Sequence, residues 1–72
     1  MWELIIFDTG KQDPIKEILF KTLEECKNYF TLFCQGVVPA LVMWKTEEDD
    51  GETVHIGKDH NSHFYCAISQ ME

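Results

Sequence analysis

The stretch TLEECKNYFTLFCQ, residues 22–35, decides the fold because it carries the clearest helix signal in the chain. Thr22 is suited to cap the first amides of a helix, and Glu25 follows three residues later, as in a capping box. Apolar side chains then recur at helical spacing and predict one buried stripe, formed by Leu23, Cys26, Phe30 and Phe33. Gly36 is suited to end the helix in the left-handed conformation. The sequence therefore predicts one helix, which ends near Gln35.

Segments rich in β-forming residues flank this helix on both sides. Two strands are predicted before it and three after it: Trp2–Asp8, Ile15–Lys21, Val37–Lys45, Thr53–Ile56 and His63–Ser69. An acid-rich connection, residues 46–52, contains the turn pair Asp50-Gly51. The order ββαβββ predicts an α+β fold, with an antiparallel sheet of four to five strands and one helix packed on one face. Residues 1–72 are long enough for a single domain.

Alternation within the predicted strands places apolar residues on both faces of the sheet. In the first strand Ile5 and Phe7 oppose Leu4 and Ile6, and Trp44 is a candidate for the surplus face. Because a single helix cannot cover two faces, the surplus favours either a homodimer or an interface with another protein.

The charge balance limits the classes of partner. The chain has 13 Asp and Glu residues against six Lys and no Arg, which gives a net charge of −7. Such a chain is not expected to bind nucleic acid directly or to adhere to anionic membranes, since Arg is the usual reader of phosphate. The negative charge is better suited to a protein partner than to nucleic acid or an anionic membrane, and a basic protein would be attracted to it.

The acidic run, residues 47–52, is the first candidate for contact with such a partner. The predicted interaction residues are Trp44, Glu47, Glu48, Asp49, Asp50 and Glu52, with the indole as an aromatic anchor. Two other interpretations stay open. The run is better explained as a solvated turn that deters aggregation, and Trp44 is equally explained as a core residue.

A metal site is the alternative that the histidines raise. Three histidines and a cysteine lie within twelve residues and are of the types that zinc prefers, namely His55, His60, His63 and Cys66. Their spacing matches no familiar zinc pattern. Polar loop histidines and a buried cysteine are the more common explanation.

The three cysteines are weighed as nucleophiles, as a disulfide and as core residues. None stands at a helix N-terminus, where the dipole would lower its pKa, and a chain this short has little room for a substrate pocket. Cys26 and Cys66 are placed to meet between helix and sheet, either bonded or as reduced thiols, and Cys34 is left over. No enzymatic activity and no cofactor is predicted.

The segment Phe20–Cys26 is similar to small uncharacterised bacteriophage proteins. Those proteins have the pattern Phe-x-Ser/Thr-x-Glu-x-Cys at the start of a helix and a last strand that contains cysteine, which Cys66 matches here. The resemblance implies a viral accessory protein that acts on a host protein. It assigns no catalytic residue.

These observations predict a small, non-enzymatic, acidic protein-binding module. A nucleic-acid-mimicking inhibitor and a small metal-binding protein are the alternatives. Met1–Phe7 is apolar but carries Glu3 and no basic residue, so it does not predict a signal peptide. The expected location is the cytoplasm, or the host cytoplasm for a viral protein.

Overall fold

The computed structural model describes residues 1–35, 42–60 and 63–71 of the chain. Five strands and one helix follow one another as β1 (Trp2–Asp8), β2 (Pro14–Phe20), α1 (Leu23–Gln35), β3 (Val42–Asp49), β4 (Glu52–Asp59) and β5 (Phe64–Gln70). This order confirms the predicted ββαβββ arrangement and the α+β fold with α1 packed on the sheet.

All five strands belong to one antiparallel sheet with the spatial order β2-β1-β5-β4-β3. The first and last strands of the chain pair along their whole length, from Trp2 with Gln70 to Asp8 with Phe64. As a result β5 lies at the centre, and β2 and β3 form the two edges. Strand β1 is an interior strand, since it lies between β2 and β5.

Helix α1 begins at the predicted cap. The Glu25 amide donates to Thr22 Oγ1 at 3.1 Å, and the Thr22 hydroxyl in turn donates to Glu25 Oε1 at 3.2 Å. The carboxylate thus accepts from the capping hydroxyl. In the usual capping box it accepts from the backbone amide of the capping residue instead. Both acids of the first turn, Glu24 and Glu25, also interact favourably with the helix dipole. Gly36, the predicted end of the helix, lies outside the described residues.

The core fills the space between α1 and one face of the sheet. Seven apolar side chains are buried there: Leu4, Ile6, Cys26, Phe30, Cys34, Cys66 and Ile68. Two members of the predicted helical stripe, Leu23 and Phe33, pack at the margin of this core, whereas Cys34 is a full member. Three thiols among seven buried side chains show that cysteine serves here as a small apolar residue.

The third and fourth strands differ most from the predicted bounds. Residues 37–41 of the predicted third strand lie outside the described residues, and β3 continues through the acidic run to Asp49. The predicted connection over residues 46–52 is therefore wrong. Asp50 and Gly51, with φ values of 51° and 81°, make a tight turn that lets the acids pair as strand residues. Strand β4 likewise runs on to Asp59, through residues predicted as loop.

Candidate functional site

The register of the sheet separates its residues into two faces. Leu4, Ile6, Cys66 and Ile68 point toward α1 and are buried. The alternate residues of the same strands point away from the helix. We call this second side the open face, and its apolar members are Ile5, Phe7, Leu19, Met43, Val54, Ile56, Tyr65 and Ala67. Among the described elements only α1 is helical, and it lies on the opposite face.

The apolar side chains of the open face are continuous across the sheet. Ile5, Ala67 and Ile56 are direct neighbours on β1, β5 and β4, and each is partly exposed. The Phe7 and Tyr65 rings stack beside them, with centroids 4.8 Å apart and an interplanar angle of 11°. At the two edges Leu19 is 53% and Met43 is 58% exposed. The face is therefore an apolar surface that water reaches, and its widest exposure is at the rims.

Charged residues border this apolar centre in an uneven way. Glu3 and Glu17 lie on the β1–β2 side of the open face, and Lys45 and Lys58 lie on the β3–β4 side. Glu47 also lies on β3, where its Oε1 is 2.7 Å from Lys45 Nζ. One side of the face is thus acidic, and the other carries its two lysines together with Glu47, Asp49 and Glu52, so that only its part away from the hairpin tip is basic.

The acidic run forms the tip of the β3–β4 hairpin. Its five carboxylate side chains are all exposed, namely Glu47, Glu48, Asp49, Asp50 and Glu52. Pairing between β4 and β5 starts only at Val54, so the tip extends beyond the central strand. A depression open to solvent lies between the tip and the end of β5, lined in part by Glu52, Ser69 and Gln70. These acids are accessible to solvent, and their role as interaction residues stays a prediction.

Trp44 does not lie on the surplus face, contrary to expectation. Its indole packs on the helix side, with the ring centroid 5.9 Å from that of Phe30 in an edge-to-face contact and 5.2 Å from Lys27 Nζ. The register of β3 with β4 turns Trp44 to the helix side, and Gly57 on β4 has no side chain and leaves room for the ring. Trp44 is therefore part of the core margin, and an anchoring role on the open face is excluded by its position.

The predicted metal ligands are spread along the β4–β5 hairpin. His55 lies on the helix side, 6.0 Å from Trp2 between ring centroids, with Nδ1 3.4 Å from Thr46 Oγ1. Burial, with a further contribution from Lys27, lowers the pKa of His55. His60 and His63 are exposed near the far end of the hairpin, whereas Cys66 is buried. Over the described residues, no group of three His, Cys, Asp or Glu side chains is placed to hold a metal ion.

The thiols are held in their protonated form. Burial raises the pKa of Cys66 to about 12 and, with a contribution from nearby Asp59, that of Cys34 to about 11. Burial and Glu25 also raise the pKa of Cys26. All three are free in the structure, so Cys26 and Cys66 are not joined. A buried thiol with a raised pKa is a poor nucleophile, because the thiolate is the reactive form.

Asp59 shows how a buried acid is used in this fold. It is 6% exposed, and its Oδ1 accepts a hydrogen bond from the Phe64 amide at 2.7 Å. The contact closes the connection between β4 and β5. A structural role accounts for this carboxylate, since buried polar groups need a partner.

No protein-family model, no curated protein and no solved structure matches the chain. The resemblance of Phe20–Cys26 and Cys66 to small phage proteins therefore stays a prediction. The described part of the chain also holds no helix of the length and apolar character needed to cross a membrane.

The open face is the feature that sequence reasoning resolved only in part. Alternation in β1 and β5 indicates a second apolar set that includes Ile5, Phe7, Tyr65 and Ala67. Ile56 and Met43 join this set only through the pairing of β3 and β4, whose bounds were predicted wrongly. A pairing register that starts at the Asp50-Gly51 turn would have placed both residues correctly.

Proposed function

We propose that this chain is a small, non-enzymatic protein-binding module, and that it binds protein through the open face of its sheet. The observation that carries the proposal is the continuous, partly exposed apolar surface across β1, β5 and β4, opposite the only described helix. Five strands at about 4.8 Å spacing and seven residues at about 3.3 Å give this face roughly 550 Å². The apolar centre is only part of this area, and contiguous apolar surface of a few hundred Å² commonly marks an interaction site.

The composition of the open face supports a protein partner. Interfaces are enriched in aromatic residues and methionine, and here Phe7, Tyr65 and Met43 contribute such side chains. The stacked Phe7–Tyr65 pair is already ordered, so little side-chain entropy is lost when a partner packs on it. The buried, protonated thiols support a binding role over a catalytic one.

A photo-crosslinking amino acid at Met43 tests the proposal. Met43 lies on the rim of the open face, and Leu32, which is 67% exposed on α1, is the matched control. In extract of the cells that make the chain, we expect a discrete protein adduct at position 43 and none at position 32. Excess unmodified chain should suppress the adduct, whereas excess Ile56→Lys chain should not. Equal labelling from both positions, or equal competition by both chains, would contradict the proposal.

A second candidate function uses the acidic run, which projects past β5. Its exposed carboxylates form a surface suited to a basic protein, in the manner of a nucleic-acid mimic. The triple substitution Glu48→Gln, Asp49→Asn and Glu52→Gln leaves the apolar side chains of the open face unchanged. If this candidate is correct, binding to the partner weakens between about 0.05 and 0.3 M salt in the wild type, and the variant loses that salt dependence.

The resemblance to bacteriophage proteins suggests where a heterologous partner should be sought. A viral accessory module acts on host machinery, so host extracts are the first source to test with the Met43 crosslinker. An adduct with a protein other than the chain itself is expected from host extract and not from the virus-encoded proteins alone.

A further inference from the structure

The middle row of the open face runs from an acid on one edge strand to a base on the other. Its members are neighbours in register across the five strands, in the order Glu17, Ile5, Ala67, Ile56 and Lys45. Ala67 is on the central strand, so two isoleucines flank the smallest residue symmetrically. The two ends have opposite charges. When a second copy of the row faces it in the reverse order, an acid lies opposite a base at both ends.

We infer that a second copy of this chain covers the open face, in a two-fold dimer whose axis runs parallel to β5. The inference rests on the proposed function and names its partner. A two-fold axis along the strands exchanges the two edges of the sheet. It therefore places Glu17 of each copy over Lys45 of the other and Ile5 over Ile56, while the small Ala67 side chains meet on the axis.

The charges select this axis over the other possible one. A two-fold axis across the strands would place Glu17 over Glu17 and Lys45 over Lys45, which are repulsive pairs. Packed sheets lie about 10 Å apart, a gap that facing Glu and Lys side chains can span from the two edges. The Lys45 ammonium group has three donors, so it can hold Glu47 of its own chain and Glu17 of the second copy together.

Of the two neighbouring rows, one supports the same arrangement, whereas the other places Glu3 over Val54 and Glu47 over Leu19. The supporting row contains Phe7, Tyr65 and Lys58 on β1, β5 and β4. Rotation about the axis parallel to β5 places Lys58 over the Phe7 ring of the other copy, where a cation–π contact is favourable. The two Tyr65 rings meet near the axis and bury aromatic surface.

Area and net charge indicate a dimer of moderate strength. Roughly 550 Å² from each copy gives about 1,100 Å² in total, just above the lower limit of about 1,000 Å² for a specific interface. Each copy carries a charge of −7, which opposes association. The axis keeps the acidic runs on opposite edges, about 20 Å apart. That exceeds the screening length of about 8 Å at physiological salt, so their repulsion is weak.

Sedimentation equilibrium of charge-reversal variants at about 0.15 M salt tests the inference. The 8.4 kDa chain should sediment as a dimer at high concentration and dissociate on dilution. Glu17→Lys and Lys45→Glu should each raise the dimer Kd at least about tenfold, because each variant turns two attractive pairs into two repulsive ones. An equimolar mixture of the two variants should recover the dimer, since both cross-copy pairs are then opposite in charge.

Matched controls lie on the helix side of the same edge strands. Lys16→Glu on β2 and Glu48→Lys on β3 make the same charge changes at exposed positions, away from the open face. Both should leave the Kd within about threefold of the wild-type value. Circular dichroism on all four variants confirms that they are folded.

Three results would overturn the inference: a wild-type chain that stays monomeric up to about 0.5 mM, a dimer indifferent to both reversals, and weakened variants that mixing does not rescue. The proposed function fails separately, because it requires only that some protein crosslinks at Met43. A monomeric chain that still crosslinks there to another protein would overturn the dimer alone.

Discussion

Gly57 and Trp44 face each other across the β3–β4 pair, and the missing side chain of the glycine determines where the indole lies. The ring occupies the space above Gly57 and meets the edge of Phe30. Strand alternation places Trp44 on the helix side, and the space above Gly57 lets its ring pack against the core. The backbone conformation at position 57 does not require glycine, because Gly51 is the only glycine with positive φ among the described residues.

Substitution of Gly57 by alanine should destabilise the fold. The added Cβ would lie 2.5 Å from Trp44 Cζ3 and 2.9 Å from Cys66 Sγ, and both neighbours are packed. We expect the free energy of unfolding in urea to fall by about 1–3 kcal/mol, as for other overpacked cores. Gly10→Ala is the control, because its added Cβ would come no closer than 3.4 Å to Asp8 Oδ1, an ordinary contact distance. A Gly57→Ala variant as stable as Gly10→Ala would contradict this account of Trp44.

The buried thiols predict that stability decreases at alkaline pH. A thiol in the unfolded chain ionises near its usual pKa of 9.0, whereas the folded pKa is about 11 for Cys34 and about 12 for Cys66. Between these values the unfolded chain has released protons that the folded chain retains, so raising the pH favours unfolding. Below pH 9 the stabilisation is fully present.

Urea midpoints between pH 8 and 10.5 measure this effect. Each ionising thiol contributes a loss of up to about 1.4 kcal/mol per pH unit. The Cys34→Ala variant should show a shallower decline than the wild type, which separates the thiols from lysine and tyrosine. Parallel declines in the two proteins would show that Cys34 is not responsible.

At the scale of single elements, α1 depends on its cap. The Thr22 hydroxyl accepts from the Glu25 amide and donates to the Glu25 carboxylate. Thr22→Ala should lower the free energy of unfolding by about 1 kcal/mol, while Thr22→Ser should stay within a few tenths of the wild type. Thermal unfolding followed by circular dichroism makes the comparison. Equal losses in both variants would point to the methyl group instead of the cap.

The two faces of the sheet should respond differently to a buried charge. Ile68 is fully buried under α1, whereas Ile56, on the adjacent strand, is partly exposed on the open face. Ile68→Lys should cost at least about 3 kcal/mol or prevent folding, and Ile56→Lys should leave a folded monomer. Urea unfolding at low concentration gives both values. Similar losses would mean that the open face is as well packed as the helix side.

Local signals in the sequence were sufficient for the helix and for β1 and β5. The Thr22–Glu25 cap and the alternation in β1 and β5 are short-range patterns, and the structure confirms them. The bounds of the β3–β4 hairpin were predicted wrongly because four consecutive acids at residues 47–50 have low strand propensity. Pairing fixed by the Asp50-Gly51 turn outweighs that propensity. Side-chain position at Trp44 depends on Gly57, thirteen residues away, which no local pattern reveals.

For the whole molecule, size is the governing constraint. A chain of 72 residues buries only about 60% of its unfolded surface, and one helix can cover only one face of a five-stranded sheet. The pairing of β1 with β5 places the most apolar strands in the middle, so the uncovered face is apolar at its centre and charged at its edges. That distribution is the physical basis of the proposed binding role and of the dimer.

Contacts between copies show directly whether two chains pair through the open face. A sample that mixes methyl-labelled and unlabelled chain, at a concentration where the dimer forms, reports nuclear Overhauser effects between copies. A dimer that forms through the open face should give cross-copy contacts between Ile5 and Ile56, and none from Ile68 or Leu32. Cross-copy contacts that arise from Leu32 and the outer surface of α1, with none from Ile5 or Ile56, would contradict it.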